Sequence, residues 1–206
     1  MSSPIICLVT GGRARAQPTL ELIAEAARAG VDLIQIRERG MDDRALSDLT
    51  RRAVELTRET ASRVVVNDRA DIALAAGAAG VHLRADSFAA ARVRVLAPKG
   101  FSIGRSVHAT ADAVAAAAAG GCDYLLFGTV FFSRSKPANH PVAGLEALRD
   151  VCRSVRLPVL AIGGISLDNA AEVARAGASG VAGISLFAST DAMAATVSAL
   201  RRVFDT

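Results

Sequence analysis

Aromatic residues are scarce in this sequence: it has no tryptophan, one tyrosine and seven phenylalanines among 206 residues. Its 24 basic residues are scattered, and no basic run is longer than a pair such as Arg51–Arg52. With few rings to stack on bases and no basic stripe, a nucleic-acid surface has little to build on. Cysteine is also sparse. Cys7, Cys122 and Cys152 show neither CxxC nor metal-ligand spacing, which reads as buried free thiols in a reducing compartment. No stretch approaches the roughly 18 uncharged apolar residues of a membrane span, and no basic region leads into a long apolar one. A cytoplasmic protein without a membrane partner is the expectation. Lysine is nearly absent too: 22 of the 24 basic residues are arginine, and the formal net charge is +4. Arginine offers fixed, bidentate donors, so this mild excess suits small phosphorylated ligands.

Hydrophobic residues make up 51% of the chain, and many are alanines, which favour closely packed helices. A chain of this length buries enough surface to fold as one domain, read here as residues 1–206. Short apolar runs without a polar face recur at 5–10, 31–37, 63–67, 80–83, 101–104, 122–128, 159–163 and 181–185. Such runs suit parallel strands covered on both sides. Helical segments lie between them. Leu46, Leu49, Ala53 and Leu56 draw one apolar stripe, and Met193, Val197, Leu200 and Val203 draw another. Asp42 marks one helix start, and Thr110 with Asp112 marks another. The alanine run 113–119 shows no polar face, which predicts a helix pressed into the wall behind the strands.

One local pattern recurs: an Ala-Gly or Gly-Gly ending, then a strand within two or three residues, as in AGVDLIQI (29–36), AGVHL (79–83), GGCDYLLF (120–127) and GASGVAGI (177–184). Glycine supplies the left-handed cap of the helix and a tight turn. A strand–helix unit of roughly 25 residues fits eight times, which predicts an α/β protein, a single (β/α)8 TIM barrel. The rival is an open doubly wound sheet, but Gly11-Gly12-Arg13 after the first run lacks the GxGxxG spacing that fold uses for phosphate.

Barrel chemistry sits at the C-terminal ends of the strands. After run two, alternation points Gln35, Arg37 and Arg39 the same way, a clamp for a diphosphate or else a surface Arg-Glu-Arg network. After run three, Asn67 and Asp68 are placed to orient a substrate or hold a divalent cation, unless Asp68 only caps the next helix. After run four, Asp86 is a second carboxylate or a cap, and His82 reads as a packed, hydrogen-bonded histidine. After run five, Ser106 offers an inward donor, and His108 starts the next helix. The irregular stretch 129–142 carries Ser133, Ser135 and Lys136, suited to cover a phosphorylated substrate. Gly163 and Gly164 after run seven let backbone amides approach an anion, and Ser185 follows run eight.

These positions make the chain resemble the thiamine phosphate synthase family and its relatives, the thiazole tautomerases. QIRER is similar to the family's Gln-x-Arg-x-Lys clamp, with Arg39 in place of Lys. VNDR is similar to its Asn-Asp-Arg motif, GTVFFSRSK to its loop with Ser133, Ser135 and Lys136, and AIGGI with Ser185 to its thiazole phosphate site. The resemblance implies a transferase that joins hydroxymethylpyrimidine diphosphate to thiazole phosphate with Mg²⁺. It implies catalytic roles for Arg37, Lys136 and Ser106. Diphosphate and substrate contacts would come from Gln35, Arg37, Arg39, Asn67, Ser106, Ser133, Ser135 and Lys136. Thiazole phosphate would lie at Gly163, Gly164 and Ser185, and Mg²⁺ at Asp68 and Asp86. The family's Gly-Gln-x-Asp reads here as Arg84-Ala85-Asp86-Ser87. HLRADSF and GRSVH are similar to the tautomerase branch, whose histidine after the run-six glycine is replaced by Thr129. A tautomerase-like protein and a non-catalytic phosphometabolite binder stay open as alternatives. A homodimer through exposed Ala-rich helices is compatible with the composition.

Overall fold

The computed structural model describes residues 3–11, 16–133, 137 and 139–205. Eight strands alternate with eight helices: β1 Ile5–Val9, α1 Ala16–Arg28, β2 Leu33–Ile36, α2 Asp43–Thr57, β3 Arg63–Asn67, α3 Ala70–Ala75, β4 Gly80–Leu83, α4 Ala90–Leu96, β5 Ser102–Val107, α5 Thr110–Ala119, β6 Tyr124–Gly128, α6 Gly144–Ser154, β7 Val159–Ile162, α7 Ala170–Arg175, β8 Gly180–Gly183 and α8 Met193–Phe204. All strand pairs are parallel, and each strand pairs with the next in sequence. The ring closes where Ile5 to Leu8 of β1 meet Gly180 to Gly183 of β8. This is the predicted (β/α)8 barrel.

The apolar runs have no polar face because both faces of every strand are covered. Ile6, Leu8, Ile34, Ile36, Val64 and Val66 point outward into the helix layer. Their neighbours Cys7, Val9, Leu33, Val65, Tyr124, Leu126, Leu160 and Ala182 fill the barrel interior, as the two-residue period of a strand requires. The interior is packed by pairing large with small. A Cβ on Gly104 would lie 2.1 Å from the Tyr124 ring, so the bare glycine of β5 is what lets that ring cross the barrel.

Asp42 caps α2 by accepting the Ala45 amide at 2.8 Å, and Asp112 takes the amides of His108 and Ala109 at 3.2 and 3.0 Å at the start of α5. Two expectations need correction. Helix α5 is not enclosed: only Ala113 and Ala116 are buried, and Val114 is 46% exposed. A methyl side chain tolerates water, so an alanine run without a polar face does not force burial on all sides. The fifth strand also runs to Val107, beyond the expected 104. Its polar Arg105 and Ser106 sit where alternate faces meet the loop before α4 and the barrel mouth. All three cysteines are free; Cys7 is buried, and Cys122 and Cys152 are half-buried. No helix among the described residues is long and apolar enough to cross a membrane.

Candidate active site

A cavity of about 420 Å³ opens at the C-terminal ends of the strands. Of the residues singled out in the sequence, Gln35, Arg37, Arg39, Asn67, Ser106, Ser133, Gly163, Gly164, Ser185 and Asp86 line it. Asp68 does not. It stands at the rim with φ +60°, bordering a groove between α3 and α4. Neither Asp68 nor Asp86 caps a helix, since α3 and α4 start without a side-chain cap. Ser135 and Lys136 lie outside the described residues.

The mouth begins at the β1–β2 edge. The Thr10 amide bonds the Gln35 carbonyl at 2.9 Å, and the Thr10 hydroxyl accepts the Arg37 amide at 2.9 Å. Thr10 thereby fixes the chain as it leaves β2, so that Gln35 and Arg37 face inward while Glu38 between Arg37 and Arg39 is buried. Burial, then repulsion from Arg39, push the Arg37 pKa down, with Arg84 adding to the same effect and Glu38 opposing it. Three guanidinium groups therefore crowd one wall, a field that an anion would relieve.

Beyond them, the loop after β4 carries Arg84. Its guanidinium pairs with Asp86 and stands 3.6 Å from Asp68 Oδ2. Its amide donates to the Ser87 hydroxyl at 3.1 Å, and that hydroxyl bonds Asp68. Arg105, leaving β5 on the outer side, donates to the carbonyls of Ala85, Ser87 and Phe88 at 2.8, 3.0 and 3.0 Å, clamping this loop in place.

All three histidines of the chain line the cavity. His82 is buried between Tyr124 Oη, 3.2 Å from Nδ1, and Ser106 Oγ, 2.9 Å from Nε2. Burial lowers its pKa to about 3, so at neutral pH the ring is uncharged; one nitrogen carries the N–H and the other the lone pair, and Nε2 alone meets and orients the Ser106 hydroxyl while Nδ1 meets Tyr124. His108 lies ahead of α5 with Nδ1 2.6 Å from the Gly128 carbonyl. His140 reaches back from the loop after β6 to Thr129 Oγ1 at 3.0 Å.

The opposite wall is backbone. Gly163 and Gly164 have φ of +101° and +64°. A Cβ on them would meet Thr129 Cγ2 at 2.5 Å and the Phe132 carbonyl at 2.3 Å. Asn169 braces the turn, donating to the Gly164 carbonyl at 3.0 Å and accepting the Ser166 amide at 2.9 Å. Ser185 opens a 3₁₀ turn directly after β8.

Arg84, Arg105 and His140 were not predicted. Arg84 had a readable signal, since it directly follows a strand like Arg37 does. Arg105 had none, because its value lies in a loop it reaches. His140 is brought in by an irregular loop that no periodicity describes.

Among known proteins, the family model described as thiamine monophosphate synthase matches residues 6–187. A thiamine-phosphate synthase of Methanoculleus marisnigri is 41% identical over 93% of this chain and 90% of its own length. One from Moorella thermoacetica is also 41% identical, over 94% of this chain and 90% of its own. The structure of a Pyrococcus furiosus thiamine phosphate pyrophosphorylase superposes with a TM-score of 0.83 at 36% identity, covering 98% of this chain and 96% of that one.

Proposed function

The chain belongs to the thiamine monophosphate synthase family, and from that premise we propose that its barrel mouth moves a hydroxymethylpyrimidine group from its diphosphate onto thiazole phosphate. The bond between the pyrimidine methylene and the diphosphate oxygen breaks, and its electron pair leaves with pyrophosphate. The thiazole nitrogen lone pair then forms the new C–N bond to the cation-like methylene. Little proton transfer is needed; the work is charge neutralisation and alignment.

Gln35, Arg37 and Arg39, with Asn67 beside them, hold the diphosphate and take up the charge that grows as it leaves. Ser106, aimed by His82, orients the pyrimidine. Gly163, Gly164 and Ser185 seat the thiazole phosphate across the cavity, with Ser133 beside them; the family resemblance assigns Ser135 and Lys136 contacts to the same substrates. Mg²⁺ would be held by Asp68 and Asp86 and would supply further neutralisation of the diphosphate. Two oxygen-donor carboxylates converging on one cation, here the Arg84 guanidinium, suit a hard metal ion. Among the described residues no group of three or more His, Cys, Asp or Glu forms a cage, so substrate oxygens and water would complete the shell.

The observation that carries this reading is the division of one cavity between a guanidinium wall and a glycine wall, which suits two phosphorylated substrates. The test mixes the protein, Mg²⁺, hydroxymethylpyrimidine diphosphate and thiazole phosphate, and follows thiamine phosphate by mass. Product is expected; none at high enzyme concentration overturns the reading. The three histidines at the mouth favour one second reading, a tautomerase acting on the carboxylated thiazole phosphate. Isomerised product formed without the pyrimidine substrate would support it.

A further inference from the structure

One cation at the mouth has two sets of partners within reach. Arg84 lines the cavity with Arg37 and Arg39, yet its guanidinium is paired with Asp86 and faces Asp68. The side chain is 49% exposed, and Asp86 is 69% exposed, so the pairing is weakly held and reversible. The loop beneath it is not loose: Arg105 fastens the carbonyls of residues 85, 87 and 88, and the Arg84 amide is tied through Ser87 to Asp68. The backbone is fixed, while the charged end is held only by ion pairs to partly exposed carboxylates. Arg84 also contributes to lowering the pKa of Arg37, which places its charge within electrostatic reach of the clamp.

We propose that Arg84 is a displaceable cation: without substrate it serves as counter-ion to Asp68 and Asp86, and it turns to the diphosphate when a divalent cation takes those carboxylates. The inference rests on the transferase reading of this cavity. Two consequences follow from charge balance. A metal ion alone must displace a guanidinium and binds poorly. A metal ion arriving with a diphosphate meets two carboxylates and gives Arg84 an anion to hold, so the two ligands help each other to bind.

The experiment is calorimetry on the whole chain with Mn²⁺ or Mg²⁺ alone and with inorganic pyrophosphate, with and without metal. Arg84→Ala is expected to tighten binding of the metal alone by about fivefold, the scale of an exposed ion pair. It is expected to weaken metal-bound pyrophosphate by about tenfold, the scale of a charge-assisted bond. Arg39→Ala removes the same charge from the mouth without touching either carboxylate, and should leave metal-alone affinity within about twofold. Asp86→Asn removes the closer of the guanidinium's two counter-ions and should tighten metal-free pyrophosphate by about threefold. Equal metal affinities in the Arg39 and Arg84 variants, or no gain in Asp86→Asn, would overturn the role of Arg84 while leaving the transferase reading intact. Wild-type protein that binds no pyrophosphate under either condition would take down both.

Discussion

On the β2–β4 side of the mouth the polar groups are side chains: Arg37, Arg39 and Arg84, with Asp86 among them. On the β7–β8 side they are mostly backbone, held in the left-handed region by Gly163 and Gly164 and braced by Asn169. The first side works through full charges on long, partly exposed stems that can re-pair. The second offers partial charges on a main chain packed so closely that a Cβ would not fit. On the proposed reading, the difference teaches that a leaving group, whose charge grows during the reaction, would be met by full side-chain charge, and a substrate that needs only to be held in line by a main-chain cradle.

Four measurements would break or sharpen that contrast. The largest effect is expected from Arg37→Ala, which removes a charge from the growing pyrophosphate; kcat/KM should fall by about 10²–10³ in steady-state rates. A loss of less than about tenfold would mean that side-chain charge is not what the β2–β4 wall contributes. Next is Gly164→Ala. The new Cβ enters the Phe132 carbonyl and takes a left-handed φ that costs about 1–2 kcal/mol. KM for thiazole phosphate should rise by about tenfold or more, with KM for the pyrimidine diphosphate nearly unchanged. If both rise together, the two walls are not independent.

The joint between the walls is His82, bonded to β5 and β6 from β4. Its pKa is lowered in the folded chain to about 3 from an unfolded value near 6.5, so protonation favours the unfolded chain. Its contribution is complete above about pH 6.5 and is lost as pH falls toward 3. At pH 5 the loss should be about 2 kcal/mol relative to pH 7, read by urea unfolding of the wild type against His82→Gln, which should lack that part of the slope. An identical slope in both would show that the histidine is reached by water. The smallest effect is that of salt. Raising ionic strength from about 0.05 to 0.5 M should weaken pyrophosphate binding several-fold and thiazole phosphate binding less, because exposed guanidinium groups are screened more than main-chain dipoles.

The barrel was legible because its signal is repetitive: continuous apolar runs for strands covered on both faces, and a glycine turn before four of them. Gln35, Arg37, Asn67, Gly163 and Gly164 were legible for a simple reason, since each lies within two residues of the C-terminal end of a strand. Strand β5 was cut short because Arg105 and Ser106 interrupt its apolar run, although one reaches a loop and the other the cavity. Asp68 was expected in the cavity, but its left-handed backbone turns its carboxylate to Ser87 and Arg84. That turn is a conformational choice which residue order does not reveal. His140 depends on the path of an irregular loop, and the pairing of Arg84, though not its position after a strand, on which partner its long side chain finds.

The seam of the barrel sets an order on its making. One edge of β1 has its partner only in residues 180–183, and that junction is stitched from outside by Arg201, which bonds the carbonyls of Pro4 and Gly30 and the Asp32 carboxylate at 3.2, 2.7 and 3.0 Å. Seven of the eight units alone would leave two strand edges unpaired, and the eighth strand with the helix behind it closes both at once.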